Sequence, residues 1–378
     1  MTNDYKTEKA EINWPVTLVL GLTFLAAITV VPWYGFEYGF SGWAWIFFAI
    51  FLITSGIGIG SGYHRLWSHR AYEANWVMRL YLAIVGGMAL QNSILVWCIR
   101  HRFHHRDVDD NDKDPYSIGR GFWFAHIGWM LKDYKSGKLD WSVVPDLERD
   151  PIVAWQHKYY WPLVVVTNAG LPLLLGWMVG DIWGVLLLAG VLRLVVSHHL
   201  TFFINSLAHM WGSRPYTDEN SARDNWFLAI VTYGEGYHNF HHLFQSDYRN
   251  GIRWWQYDIN KWFIATCAWL GMAKNLKRTP DFKIQRARLA MIFKRAQAKI
   301  ERSSVNPRWR ELLESEYAQF KETVNEWQQL QMVRMQNSRQ KLADAIDQST
   351  LKARYRELER ELKMQRKRVT MLTAQFVG

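Results

Sequence analysis

The chain has 378 residues, 15% of them aromatic with 22 Trp, and a formal net charge of +11. Its two cysteines, Cys98 and Cys267, form no C-x-x-C pair, which excludes a disulfide framework and a cysteine-held iron–sulfur cluster. No helix-turn-helix, zinc-finger or RNA-binding signature accompanies the positive charge, so nucleic acid is excluded in favour of an anionic membrane surface or acidic partners.

The opening MTNDYKTEKAEINWP is of mixed charge and lacks the basic n-region and cleavage site of a signal peptide, so the first apolar run is expected to stay as an anchor. Four runs have the roughly 20 apolar residues that a bilayer requires: about Trp14 to Trp33, Trp43 to Gly62, Trp161 to Gly180 and Trp183 to Ile204. The turns within each pair, near Gly35–Gly42 and at Gly180-Asp181-Ile182, hold no Lys or Arg, whereas the segments 63–160 and 205–378 are rich in both. The positive-inside rule therefore puts both termini and the long middle segment in the cytoplasm. A fifth apolar stretch, Leu80 to Cys98, contains Gly86-Gly87 and Gln91-Asn92, and reads as a helix at the interface or against the soluble part. Arg193 falls inside the fourth span, facing protein or the cytoplasmic end.

From 276 the chain reads as a separate basic helical extension of the 1–275 membrane domain. Residues 280–378 hold 21 Lys/Arg against 12 Asp/Glu, a balance of +9. Leu313, Tyr317, Phe320, Val324 and Trp327, then Leu351, Tyr355, Leu358 and Leu362, recur at heptad spacing. This predicts two coiled-coil helices with a break near Asp347-Gln348-Ser349-Thr350, and a seam through which copies of the chain could associate.

The histidines carry the chemistry. HRLWSH supplies His64 and His69, HRFHH supplies His101, His104 and His105, HNFHH supplies His238, His241 and His242, and NSLAHMWG adds His209. Residues at i, i+3 and i+4 share a helix face, so each triplet is expected to aim three imidazoles at one place. Nine nitrogens exceed what one tetrahedral ion takes and suit two ions of higher coordination. Imidazole alone admits Fe, Zn, Cu or Ni, and redox work with oxygen selects iron. Glu235, Asp107, Asp109 and Asp110 are candidate acceptors for ring N–H groups. His126, His157, His198 and His199 lack ligand spacing and read as structural.

These motifs resemble the membrane fatty-acid desaturases of the stearoyl-CoA (Δ9) type. The likeness runs from about Gly62 to Ile264 through HRLWSHRAY, QNSILVWCIRHRFHH, Asp114-Pro115, RGFWFAHIGWML, TFFINSLAHMWGSRPY and GEGYHNFHHLFQSDYRNGIRWWQYD. It implies an all-α integral membrane fold: four transmembrane helices, a cytoplasmic helical cap holding a di-iron centre, and here the helical tail. It implies the nine histidines above as ligands to two Fe2+, with Asn205 reaching one metal through a water. Gln91, Trp97 and Thr201 match residues at the kink of an acyl tunnel, and O2 is the co-substrate. Where the family commonly has Arg followed by an acidic residue before the second histidine box, this chain has Ile99-Arg100, which leaves acyl-CoA and acyl-lipid both open as substrate. With no heme loop, iron–sulfur cysteines or Rossmann fingerprint, electrons are expected from an external ferredoxin-like donor and its reductase. A membrane di-iron lipid or alkane hydroxylase is the alternative activity. The expected setting is a bacterial inner membrane.

Overall fold

The computed structural model describes residues 8–302, 307–340 and 345–374. It is helical almost throughout, and the expected spans are present as four long apolar helices: α1 (Trp14–Glu37), α2 (Gly42–Ser68), and, after the middle segment, Tyr160–Val179 and Ile182–Met210. Their ends follow local chemistry. Asn13 caps α1 by accepting from the Val16 amide, and Pro15 costs nothing there because the first helical amides have no partner anyway. Ser41 caps α2 through the Ala44 amide. Gly180, at φ 74, ends the third span in the left-handed region, and Asp181 caps the fourth through the Gly184 amide. The same carboxylate accepts from the Ser41 amide, tying the two span-joining turns together. Leu18, Leu22, Leu25 and Ile28 on α1, like Val165, Val166 and Leu174 on the third span, lie exposed, as lipid-facing side chains must.

Three spans run past the ends hydropathy foretold: the first, expected to stop at Trp33, reaches Glu37, and two others go further. The second was expected to stop at Gly62 and the fourth at Ile204, yet these helices continue to Ser68 and Met210. Hydropathy records where side chains meet lipid, but backbone hydrogen bonding carries on once the surroundings become protein. By the expected bounds, Gly62 and Ile204, all nine histidines would fall outside the spans. His64 and His209 instead ride on these extended ends. From Gly58 to Ser68 the α2 backbone winds as a π-helix, a widening that often marks functional segments.

Between the second and third spans lie α3 (Trp76–Gly87) and α4 (Ile94–Asp107). At 12 residues α3 is about 18 Å long, too short for a hydrocarbon core of about 30 Å. The histidine boxes before and after it therefore stay on one side. It packs closely on α2: a Cβ on Gly58 would stand 2.4 Å from the Gly86 nitrogen. The two later spans are α5 (Tyr160–Val179) and α6 (Ile182–Met210), followed by α7 (His238–Leu243) and α8 (Ile259–Trp269). Glu73–Ala74 pairs antiparallel with Ala273–Lys274, the β structure of the described residues apart from isolated bridges. Arg193 is fully buried and donates to the carbonyls of Ala189 and Met88 and to the side-chain oxygen of Asn168. Neutral oxygens thus satisfy an intramembrane cation.

The chain divides into two compact units. One comprises 1–213 and 220–278; the other comprises 214–219 and 279–378. Among the described residues the second unit holds the two expected helices, α10 (Pro307–Gln340) and α11 (Ala345–Ala374), and one more before them, α9 (Asp281–Arg302). Asp347–Thr350 lie inside α11, not at a break. Phe282, Phe293, Leu313, Phe320, Trp327, Leu358 and Leu362 form its core, with Phe282 stacked on Trp327 at 4.3 Å.

Substituting Gly58→Ala drives a methyl group into the α3 backbone, and overpacking of this kind costs about 1–3 kcal/mol. The expected result is a lower apparent melting temperature in detergent, measured against a Gly170→Ala control, a position with open space and ordinary helical backbone.

Candidate metal centre

The nine histidines gather into two clusters. His64, His69, His101, His105 and His241 form one, and His104, His209, His238 and His242 form the other; within each, one nitrogen per ring lies within 4.8 Å of all the rest. The expectation that each triplet serves one place is corrected here. On α4, His101 and His105 face the first cluster and His104 the second; on α7, His238 and His242 face the second and His241 the first. The i and i+4 rings meet edge to face, with centroids 4.6 Å apart for His101 and His105 and 4.5 Å apart for His238 and His242, while the i+3 ring turns to the other cluster, so each helix is a shared wall between two sites.

Hydrogen bonds fix several rings. His64 Nδ1–H donates to Glu235 at 3.1 Å, and His104 Nδ1–H to Asp114 at 2.9 Å. His209 Nδ1–H donates to Ser221 Oγ at 2.7 Å, whose own hydroxyl donates to Asp109 at 2.5 Å. His101 Nδ1 meets the Tyr116 hydroxyl at 3.3 Å. A ring that spends its proton on Nδ1 presents a lone pair at Nε2. His64, His104 and His209 therefore aim lone pairs inward at Nε2 atoms of His241 (2.9 Å), His242 (3.3 Å) and His238 (3.1 Å).

This donor set fits metal. Nitrogens about 2.1 Å from an ion and at right angles to one another stand roughly 3 Å apart, the spacing found here. Convergent lone pairs repel one another, and a cation at each centre removes that repulsion. Burial first, and then neighbouring imidazoles, hold His69, His101, His105, His238, His241 and His242 well below the ordinary histidine range, so they stay neutral. Burial alone would push Glu235 up; the Arg65 guanidinium and His64 outweigh it and hold the carboxyl down to about 2. Arg65 also pairs with buried Asp258, which accepts from the amides of Asn250, Gly251 and Lys261.

Of the proposed ring acceptors, Glu235 touches its histidine directly and Asp109 acts through Ser221. Asp107 pairs with Arg106, and Asp110 with Lys113. Sequence reasoning missed Asp114 as a ring acceptor, along with Tyr116 and Ser221. The Asp114-Pro115 motif was visible, but a loop residue ten positions after His104 has no periodicity to connect it. Of the remaining histidines, His126 bonds Ser206 and His199, His157 bonds Ser93, and His198 bonds the Ala89 carbonyl.

A cavity of about 540 Å³, within the ordinary range for ligand sites, adjoins both clusters and is lined by His64, His101 and His238. Gln91, Trp97, Thr201 and Asn205 also line it. Gln91 Nε2 donates to Thr201 Oγ1 at 2.9 Å, and Trp97 stacks on His101 at 4.7 Å. Leu90 and Asn92, on either side of Gln91, both have positive φ, 52° and 74°. Asn takes such backbone readily, but leucine keeps it only where the surroundings over-determine it. Arg100, Lys132, Lys135 and Lys138 line the same cavity. The Arg100 Nε has no hydrogen-bond partner among the described residues.

A family model described as fatty acid desaturase matches residues 41–268. Among curated relatives, a probable acyl-CoA desaturase of Schizosaccharomyces pombe is 47% identical over 242 residues, covering 64% of this chain and 50% of that protein. Acyl-CoA desaturase 1 of Saccharomyces cerevisiae is 37% identical over 305 residues, covering 79% of this chain and 57% of that protein. An sn-2 palmitoyl-lipid 9-desaturase of Nostoc sp. (strain 36) is 34% identical over 278 residues, covering 71% and 92%. The chain thus spans about half the length of the two yeast relatives.

Two outcomes follow from this geometry. In metal-free protein, the six depressed histidines stay neutral while their unfolded counterparts take up protons below about pH 6.5, so stability is complete above that value and falls as the solution is acidified. The apparent melting temperature of chelator-treated protein is expected to drop steadily between about pH 7 and pH 5. Asp114→Asn removes the carboxylate behind His104 and is expected to weaken metal affinity about 10–100-fold, read by competition with a chromogenic chelator.

Proposed function

The chain belongs to the fatty acid desaturase family, and on that premise we propose that it is an O2-dependent fatty-acyl desaturase forming a cis double bond, at Δ9, in an acyl-CoA or acyl-lipid. The observation that carries this reading is the cavity that adjoins both histidine clusters, lined by His64 and His101 of one and His238 of the other.

His64, His69, His101, His105 and His241 would hold one iron, and His104, His209, His238 and His242 the other, with Asn205 at the cavity wall reaching one of them through a water. Two ferrous ions held there would supply one-electron chemistry with O2 strong enough to act on an unactivated C–H bond. The protein supplies position. Neutral imidazoles give lone pairs, and Glu235, Asp114 and the Ser221–Asp109 pair keep each ring's proton on the outer nitrogen. Rigid placement of a methylene pair beside the centre contributes several kcal/mol of the barrier reduction. The Gln91–Thr201 bond and the Trp97 ring would bend the chain at that point, favouring a cis product. Loss of hydrogen from adjacent carbons, with two electrons and two protons from outside, reduces O2 to two waters.

Arg100, Lys132, Lys135 and Lys138 support a phosphate-bearing head group on the substrate, as both acyl-CoA and phospholipid have. A ferredoxin-like acidic donor with its reductase is the proposed electron source, supported by the net charge of +11. The distribution of Lys and Arg supports a cytoplasmic site with both termini on that side, and the setting taken is a bacterial inner membrane. Association of copies through the helical extension, residues 276–378, is part of the same reading.

Expression in a desaturase-deficient host, followed by mass spectrometry of the lipids, tests this. Loss of two hydrogens at one chain position is expected, and gain of one oxygen would identify a hydroxylase instead. His104→Ala and His101→Ala are each expected to abolish the product, since each removes a ligand from a different cluster.

A further inference from the structure

The cavity follows α2 away from the histidines. His64, Gly60, Ile59 and Gly56 line it over about two turns, roughly 12 Å, and no α2 residue before Gly56 takes part. On α6 its wall includes Ser197 and no residue nearer the start of that helix. At this depth stands Tyr233, which also lines the cavity. Its ring is seated on Gly56: a Cβ there would lie 2.5 Å from the ring carbons. Tyr233 is buried, at 8% exposure, and its backbone is left-handed, φ 59, followed by Gly234 at φ 100. Asn260 Nδ2 donates to its carbonyl at 2.9 Å, holding that strained turn in place. A bulky side chain kept in unfavourable backbone, with a glycine opposite to admit it, indicates a position over-determined by its surroundings. One turn further along α6, buried Arg193 lies over the Phe51 ring at 5.7 Å and backs the closed end.

We propose that Tyr233 is the floor of the acyl cavity and sets the longest chain the protein accepts. The inference rests on the reading of this cavity as an acyl site and deepens it, by assigning chain-length selection to one side chain seated against Gly56. Tyr233 touches the methyl end of the substrate and takes no part at the metals.

The test is binding across a homologous series of saturated fatty acids, read as protection of the full chain against heat in detergent, with product analysis alongside. Wild type is expected to show a sharp upper length. Tyr233→Ala is expected to raise the affinity ratio of the first rejected acid to the longest accepted one by about tenfold or more, the discrimination that methylenes exert in a closed apolar pocket. Tyr233→Phe keeps the ring and is expected to keep the wild-type limit; Tyr233→Leu, a gentler change, is expected to shift it in the same direction as Ala. An unchanged length limit in both Ala and Leu variants overturns the proposal, as does equal loss of binding at every length or a shift in Phe as large as in Ala. Wild-type protein that binds with a sharp length limit yet leaves the chains saturated would sink the desaturase reading and leave the floor in place.

Discussion

The arrangement depends on one constraint: the inner nitrogens of buried imidazoles are forced together where water is scarce. Nitrogens at 2.9–3.3 Å repel one another unless a cation lies between them or a proton is shared. The chain commits the site to the first solution. By holding the protons of His64, His104 and His209 on their outer nitrogens, Glu235, Asp114 and the Ser221–Asp109 pair leave the inner nitrogens free as donors to metal. The carboxylates in turn need support. Arg65 stabilises Glu235 and Asp258, and Asp258 ties the loop at Asn250 and Gly251 to the start of α8. Buried charge is therefore layered outward from the centre, each layer held by the next.

Much of this was legible in the amino-acid order because its signals are local or periodic. Runs of apolar residues marked the four spans, and the histidine motifs marked the nine rings that gather into two clusters. Where the reading failed, the missing information was three-dimensional. The lengths of α2 and α6 escaped hydropathy because His64 and His209 lie on helical turns that face protein. The division of each triplet depends on which way α4 and α7 are rolled, and spacing alone leaves that open. Asp114 and Ser221 approach their histidines across loops. In the extension, the heptad residues Leu313, Phe320 and Trp327 were visible as a stripe, but α9 went unread because its apolar positions, Phe282, Leu289 and Phe293, sit among many charges.

The cavity joins membrane and metal through a few polar contacts in otherwise apolar surroundings. Gln91 and Thr201 meet at its wall, Trp97 stacks on His101 there, and Tyr160 accepts the Asn92 amide beside it. Left-handed Leu90 shows that this stretch is shaped by its neighbours, since leucine does not favour that backbone alone, whereas Asn92 tolerates it. Arg193, reaching the Met88 carbonyl, braces the same stretch from inside the bilayer.

The crosswise division of the two triplets links the centres mechanically. Because α4 and α7 each contribute to both, neither helix can turn to suit one ion without misplacing a ring belonging to the other. The separation of the two clusters is tied to the offset of rings along α4 and α7, which belong to both. A change that rolls either helix would therefore disturb both clusters at once, however far it lies from one of them.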